Sequence, residues 1–76
     1  MTADRLLDQM IARLLRDHGG AKHRWRRSIG PVRVYSLATH AHCNWSISPT
    51  GDYSEITAIE RLCDDMRMTH AIISER

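Results

Sequence analysis

The chain has 76 residues, of which 42% are hydrophobic and 26% are charged, and its formal net charge is +2. A chain of this length forms a single domain, residues 1–76, whose small core leaves little room for a deep active-site cleft. The composition is that of a folded globular protein rather than a disordered one, and no apolar run approaches the roughly 20 residues of a membrane span.

The first 18 residues have the pattern of an amphipathic helix. Thr2 is a suitable N-cap, and the pair Gly19-Gly20 is a stop signal, so we predict a helix over residues 3–18. Six apolar residues recur as neighbouring pairs every four positions, which places them on one stripe of that helix. They are Leu6, Leu7, Met10, Ile11, Leu14 and Leu15.

A basic segment follows, and we predict residues 19–31 to be a linker. Its center, Lys22 to Arg27, has four cations and one tryptophan in six residues. Lys and Arg neutralise phosphates and tryptophan stacks on bases, so one interpretation is nucleic-acid binding. The alternative is a solvated linker whose Trp25 folds back over the end of the core. The residues concerned are Lys22, Arg24, Trp25, Arg26 and Arg27.

Two stretches after Pro31 alternate with the period of β-strands, at residues 32–37 and at about 42–48. We expect them to pair as a hairpin with a turn near residues 39–41. On the first strand Arg33 and Tyr35 would lie on the uncovered face of the sheet. On the second strand Trp45 would point inward and Asn44 outward.

A turn at Pro49-Thr-Gly-Asp52 precedes a second predicted helix, because Asp52 and Glu55 resemble a capping box. That helix ends near residues 69–70, and residues 71–74 are predicted to be a short third strand. The predicted fold is α+β, a single two-layer domain in the order α-β-β-α-β. Its antiparallel sheet of three strands, in the order 2-1-3, would have both helices on one face.

His40, His42 and Cys43 are the candidate metal ligands or reactive groups. On a strand the two histidines would face one side and Cys43 the other, so a metal site would require a loop. We therefore favour a hairpin with exposed histidines and a buried Cys43, and we expect no metal and no cofactor. A metal-binding or thiol-active protein stays as a third hypothesis.

No segment matches a catalytic or cofactor motif, so we expect a protein that is not an enzyme. Small α+β domains without such motifs are typical of adaptors and inhibitors, including the anti-CRISPR proteins that phages and mobile elements encode, although this is an analogy of class. The first hypothesis is thus a module that covers a functional surface of a larger protein. It would bind through the segment Lys22 to Arg27 with Arg33 and Tyr35, and nucleic-acid binding is the alternative.

The charge distribution, the N-terminus and the edges of the predicted sheet each add one further expectation. Residues 1–38 carry eight Lys and Arg against three Asp, or +5, whereas residues 39–76 carry three Arg against six Asp and Glu, or −3. The acidic face of the second helix is therefore a second choice of docking surface. Since no signal peptide is apparent, we expect a cytoplasmic protein without a membrane partner. A homodimer through the edge of strand 2 or strand 3 is also possible.

Overall fold

Residues 1–74, the part of the chain that the computed structural model describes, form three helices and one two-stranded antiparallel sheet. The predicted three-stranded sheet with two helices on one face is therefore wrong. The arrangement is a small α+β-like one. The elements in chain order are α1 (Ala3–His18), α2 (Lys22–Ile29), β1 (Arg33–Val34), β2 (Trp45–Ser46) and α3 (Tyr53–Thr69).

The helix predicted over residues 3–18 is confirmed, including both of its ends. The side chain of Thr2 accepts a hydrogen bond from the backbone N–H of Arg5, which satisfies one of the free donors at the start of α1. Gly19, with φ of 72°, ends the helix and donates its N–H to the carbonyl of Leu15. Four of the six stripe residues are buried: Leu6, Met10, Ile11 and Leu14.

The basic segment is a helix, α2, and the prediction of a linker is wrong. Its side chains Trp25, Ser28 and Ile29 are buried, and their spacing of three and four residues places them on one face. Lys and Arg are good helix formers, so the intervening cations do not oppose the helix. Two large apolar residues in eight are too few to reveal a helical period in the sequence, yet their burial holds the segment in place.

The hairpin forms, but its regular part is only two residues long on each side. Val34 pairs with Trp45, and Arg33 pairs with Ser46. The predicted strands shorten because residues 36–40 turn away, with the N–H of His40 donating to the carbonyl of Ser36.

Membrane-spanning helices are absent from residues 1–74, since none of their helices is both long and apolar enough.

Asn44 takes the place of the predicted third strand. Its side chain is buried, with 3% exposed, and not outward as predicted. The amide Nδ2 donates to the carbonyl of Ile73 at 2.7 Å, and Oδ1 accepts from the N–H of Ile73 at 2.8 Å. Residues 71–74 therefore bond to the Asn44 side chain, and the N–H of Ser74 donates to the carbonyl of Met1 in an isolated parallel bridge that pairs Ser74 with Thr2. The backbone N–H of Asn44, just before β2, also donates to the carbonyl of Ala71.

The core lies between the three helices and is closed on one side by Trp45 and Ile73. The indole Nε1 of Trp45 donates to the carbonyl of His70 at 2.8 Å, and the Arg67 guanidinium lies 5.1 Å from the ring centroid. The fully buried side chains are Leu6, Met10, Ile11, Leu14, Ile29, Ile59 and Met66. Helix α2 packs against both α1 and α3.

Replacing Asn44, whose side-chain amide bonds to the backbone of Ile73, tests how residues 71–74 are held. Asn44→Ala leaves the N–H and the carbonyl of Ile73 buried without partners, so we expect a loss of about 3 kcal/mol in the free energy of unfolding. Urea denaturation followed by circular dichroism measures it. Ser48→Ala, at an exposed position without such bonds, should stay within about 0.5 kcal/mol of the wild type. Equal stability of Asn44→Ala and the wild type would show that the two hydrogen bonds to Ile73 do not stabilise the fold.

Candidate functional site: the basic face of helix α2

The outward surface of α2 carries three of the seven predicted binding residues, Lys22, Arg26 and Arg27, together with His23. Because an α-helix turns by about 100° per residue, Lys22 and Arg26 form one row along α2 and His23 and Arg27 form the next. All four side chains are exposed, and they lie on the side of the helix away from the core. We call these four residues the basic face.

Little of the positive charge on the basic face is neutralised within the protein. Among the described residues, Lys22 and Arg27 have no ion-pair partner. Arg26 Nη2 lies 3.8 Å from Asp8 Oδ1, and both side chains are more than half exposed, so this pair contributes little to stability. The row of Lys22 and Arg26 therefore borders α1 and remains available to a partner.

Trp25 does not belong to this surface. Its ring is 8% exposed, its Nε1 donates to the carbonyl of Gly19 at 2.7 Å, and the His18 ring lies 5.9 Å away. The indole therefore covers the end of the core beside the α1–α2 turn. It is not exposed for stacking on a base, as the nucleic-acid interpretation required.

Arg24 is held by a carboxylate of α3. Its Nε and Nη2 donate to the two oxygens of Glu55 at 3.2 and 2.9 Å, and Ser28 Oγ donates to Oε2 at 2.8 Å. Since Arg24 and Ser28 are one helical turn apart, both reach the same carboxylate. These bonds and the Asp52 cap lower the pKa of Glu55 to about 2. The carboxylate thus joins α2 to the start of α3.

Arg33 and Tyr35 lie on the hairpin, apart from the basic face. Arg33 is exposed on β1. The Tyr35 hydroxyl lies 2.9 Å from Ser46 Oγ, and its ring stacks on His40 with the centroids 4.2 Å apart. No hydrogen bond or ion pair within residues 1–74 joins either residue to α2. The structure therefore brings together Lys22, Arg26 and Arg27, whereas Trp25 is buried, Arg24 is paired with Glu55, and these two hairpin residues lie apart.

His40, His42 and Cys43 do not converge. His40 Nδ1 lies 2.9 Å from Thr39 Oγ1, whereas the half-buried Cys43 directs its thiol toward the carbonyl of Trp45 at 3.5 Å. No three His, Cys, Asp or Glu side chains of the described part of the chain could hold a metal ion together. The second thiol, Cys63, is buried in α3, and burial raises its pKa to about 11.

The acidic face of α3 is partly neutralised by neighbouring arginines. Asp65 Oδ2 lies 3.2 Å from Arg13 Nη2, and Asp64 Oδ1 lies 3.2 Å from Arg67 Nη1. Of the three carboxylates of this face, Glu60, Asp64 and Asp65, the last two therefore already have cationic partners. The basic face of α2 carries the larger uncompensated charge of the two candidate surfaces.

No protein-family model, curated protein or solved structure matches this chain. Functional inference therefore rests on the side chains and their geometry. Sequence reasoning assigned Glu55 only to a capping box, and it assigned Thr50 and Gly51, which border α2, only to a turn. A charged residue on the predicted apolar side of α3 was the available signal for Glu55, but its partners lie 27 and 31 positions away.

The low pKa of Glu55 predicts how stability depends on pH. The pKa of this carboxyl is about 2 in the folded state, against 4.5 for an unperturbed glutamate as in the unfolded chain. The ionised carboxyl therefore stabilises the fold above pH 4.5, and this contribution is lost as the pH falls toward 2. We expect Glu55→Gln to melt below the wild type at pH 7, and the difference to shrink through that window. Thermal unfolding by circular dichroism measures both. A difference independent of pH would contradict the assignment.

The thiol of Cys63 should be inert in the folded protein. In a Cys43→Ser variant, the remaining thiol is buried and its pKa is about 11, so little thiolate exists at pH 8. We expect a disulfide reagent such as dithionitrobenzoate to react only after urea unfolds the chain. Rapid reaction of Cys43→Ser in native buffer would show that Cys63 is accessible. Cys63→Ser, which keeps Cys43, is the matched control.

Proposed function

We propose that this protein is a non-enzymatic binding module that docks through the basic face of α2 onto an acidic surface of a larger protein. The observation that carries the proposal is the helical array itself. It holds two rows of basic side chains outward, and Lys22 and Arg27 lack ion-pair partners in the described residues. Arginine is enriched among the residues that contribute most to protein interfaces. A charged helix face also steers the approach of an oppositely charged partner.

The surroundings of the basic face favour a protein over a nucleic acid. Asp8 lies beside Arg26 on one flank, and Asp52 and Glu55 lie beside Arg24 on the other. A nucleic acid presents a uniform row of phosphates, and its affinity grows with the number of phosphates neutralised. Carboxylates on both flanks repel such a row, whereas the acidic surface of a protein can place its carboxylates against the cations of the basic face and away from the flanks.

The mode of action that fits these features is occlusion. A chain this small leaves little room for a deep cleft, so it would act by covering a functional surface of its partner, as the small inhibitors encoded by phages and mobile elements do. Arg33 and Tyr35 on the hairpin are proposed as secondary contacts. We place this activity in the cytoplasm, where free thiols such as Cys43 and Cys63 persist.

Nucleic-acid binding is the second candidate, and one observation favours it. Helix α2 follows α1 after a turn of residues 19–21 that contains two glycines, a connection that also occurs in helix-turn-helix motifs. In that case Lys22, Arg26 and Arg27 contact phosphates. Binding of this kind weakens steeply as the salt concentration rises.

The first candidate predicts that loss of the row formed by Lys22 and Arg26 abolishes partner binding. Lys22→Ala/Arg26→Ala removes two exposed cations and only one weak ion pair, so the fold should survive. We expect at least about tenfold weaker retention of a protein from an extract of the cells that encode this chain. Arg5→Ala/Arg16→Ala removes the same charge from α1 and should retain the partner.

Labelled DNA and RNA oligonucleotides, titrated at about 50 and 200 mM salt, distinguish the two candidates. The protein-binding proposal expects no saturable oligonucleotide binding. Equal partner retention by the two double variants would contradict it. Binding of oligonucleotides that Lys22→Ala/Arg26→Ala alone loses would favour the second candidate.

A further inference from the structure

We propose that a cavity beside the basic face receives a carboxylate side chain of the partner, an Asp or a Glu. This inference rests on the proposed function and adds the chemistry of one contact to it. The cavity has a volume of about 300 Å³ and lies between α2 and the loop that precedes α3. Its lining residues are His23, Arg24, Arg27, Ser28, Thr50, Gly51 and Glu55.

The walls of the cavity are fixed by the fold. The backbone N–H of Thr50 donates to the carbonyl of Ser28 at 2.8 Å, which holds the loop against α2. Gly51 has φ of 122°, and a Cβ there would lie 3.3 Å from Ser28 Oγ, so this close approach depends on glycine. These contacts fix the loop wall of the cavity against α2, and the exposed side chains of His23 and Arg27 line its other side.

The donors that remain in the cavity are cationic or neutral. Both oxygens of Glu55 are already occupied by Arg24 and Ser28, so its charge is compensated inside the protein. Arg27 has no ion-pair partner, and the Thr50 hydroxyl and the His23 ring have no hydrogen-bond partner within residues 1–74. A ligand that enters therefore meets one free guanidinium together with a hydroxyl and an imidazole.

This donor set matches a carboxylate better than a phosphate. The planar guanidinium of Arg27 has the fork geometry that binds a carboxylate through two hydrogen bonds. A carboxylate carries one negative charge, which equals the one guanidinium that Glu55 does not compensate. A phosphate monoester carries about −1.5 to −2 at pH 7 and would leave excess negative charge close to Glu55 and Asp52.

Nuclear magnetic resonance titration tests the inference with a probe of one residue. The blocked tripeptide acetyl-Ala-Glu-Ala-amide is added to the ¹⁵N-labelled protein, and acetyl-Ala-Gln-Ala-amide and inorganic phosphate are added to parallel samples. We expect the glutamate peptide alone to shift the amides of Thr50 and Gly51 and the Nε–H of Arg27. Since a charge-assisted pair is lost, Arg27→Gln should weaken this binding about tenfold.

The matched control is Arg5→Ala/Arg16→Ala, which removes two cations from α1 and none from the cavity, and which should leave the dissociation constant within about twofold. Absent shifts, equal shifts with the glutamine peptide, or tighter binding of phosphate at the same amides would overturn the inference. Peptide binding that depends on Lys22 and Arg26 but not on Arg27 would overturn the cavity and leave the proposed function standing. Intact cavity binding with partner retention unaffected by Lys22→Ala/Arg26→Ala would overturn the proposed function instead.

Discussion

The carboxylate of Glu55 is the constraint on which the position of α2 depends. It lies at the start of α3, the residue is only 9% exposed, and a carboxylate that loses its water requires charged or hydrogen-bonding partners. Arg24 and Ser28 supply them, and they are four residues apart on the same helix. The need to satisfy one carboxylate therefore fixes α2 as a helix, in one register, against α3.

That register decides which residues of α2 reach the core and which reach solvent. With Arg24 and Ser28 turned toward α3, Trp25 and Ile29 are buried, and the indole reaches the carbonyl of Gly19. The two rows of the basic face are then left outward by geometry. Because the helix is packed on α1 and α3, the backbone that carries these cations is already ordered, and a partner of the proposed kind would have to order only their side chains.

The two long helices could be predicted from the sequence, whereas the short elements could not. Helix α1 has six apolar residues that recur as pairs every four positions, and Thr2 and Gly19 are its caps. The turn that ends at Asp52, the N-cap of α3, indicates where α3 begins. Helix α2 has only Trp25 and Ile29 as large apolar residues, and its flanking glycines resemble those of a linker. Its helical state depends on burial and on a carboxylate 31 positions away, which local patterns do not contain.

In the sheet and in the candidate surface, too, the features that the sequence does not reveal depend on tertiary contacts. Ile72 and Ile73 have the composition of a strand, but the Asn44 amide gives Ile73 the two hydrogen bonds that a neighbouring strand would otherwise supply. The cations of the basic face were identified from composition, since most Lys and Arg side chains lie outside. The exclusion of Trp25 from that surface, and the cavity with Thr50 and Gly51, arise from tertiary contacts.

The most direct test of this account is the conformation of residues 22–29 in solution. Assigned ¹³Cα chemical shifts and amide hydrogen exchange at neutral pH report helix and protection residue by residue. The account predicts helical shifts with protected amides across α2, and a selective loss of protection there in Glu55→Gln while α1 stays protected. Random-coil shifts over residues 22–29, or protection of α2 that does not change in Glu55→Gln, would contradict it.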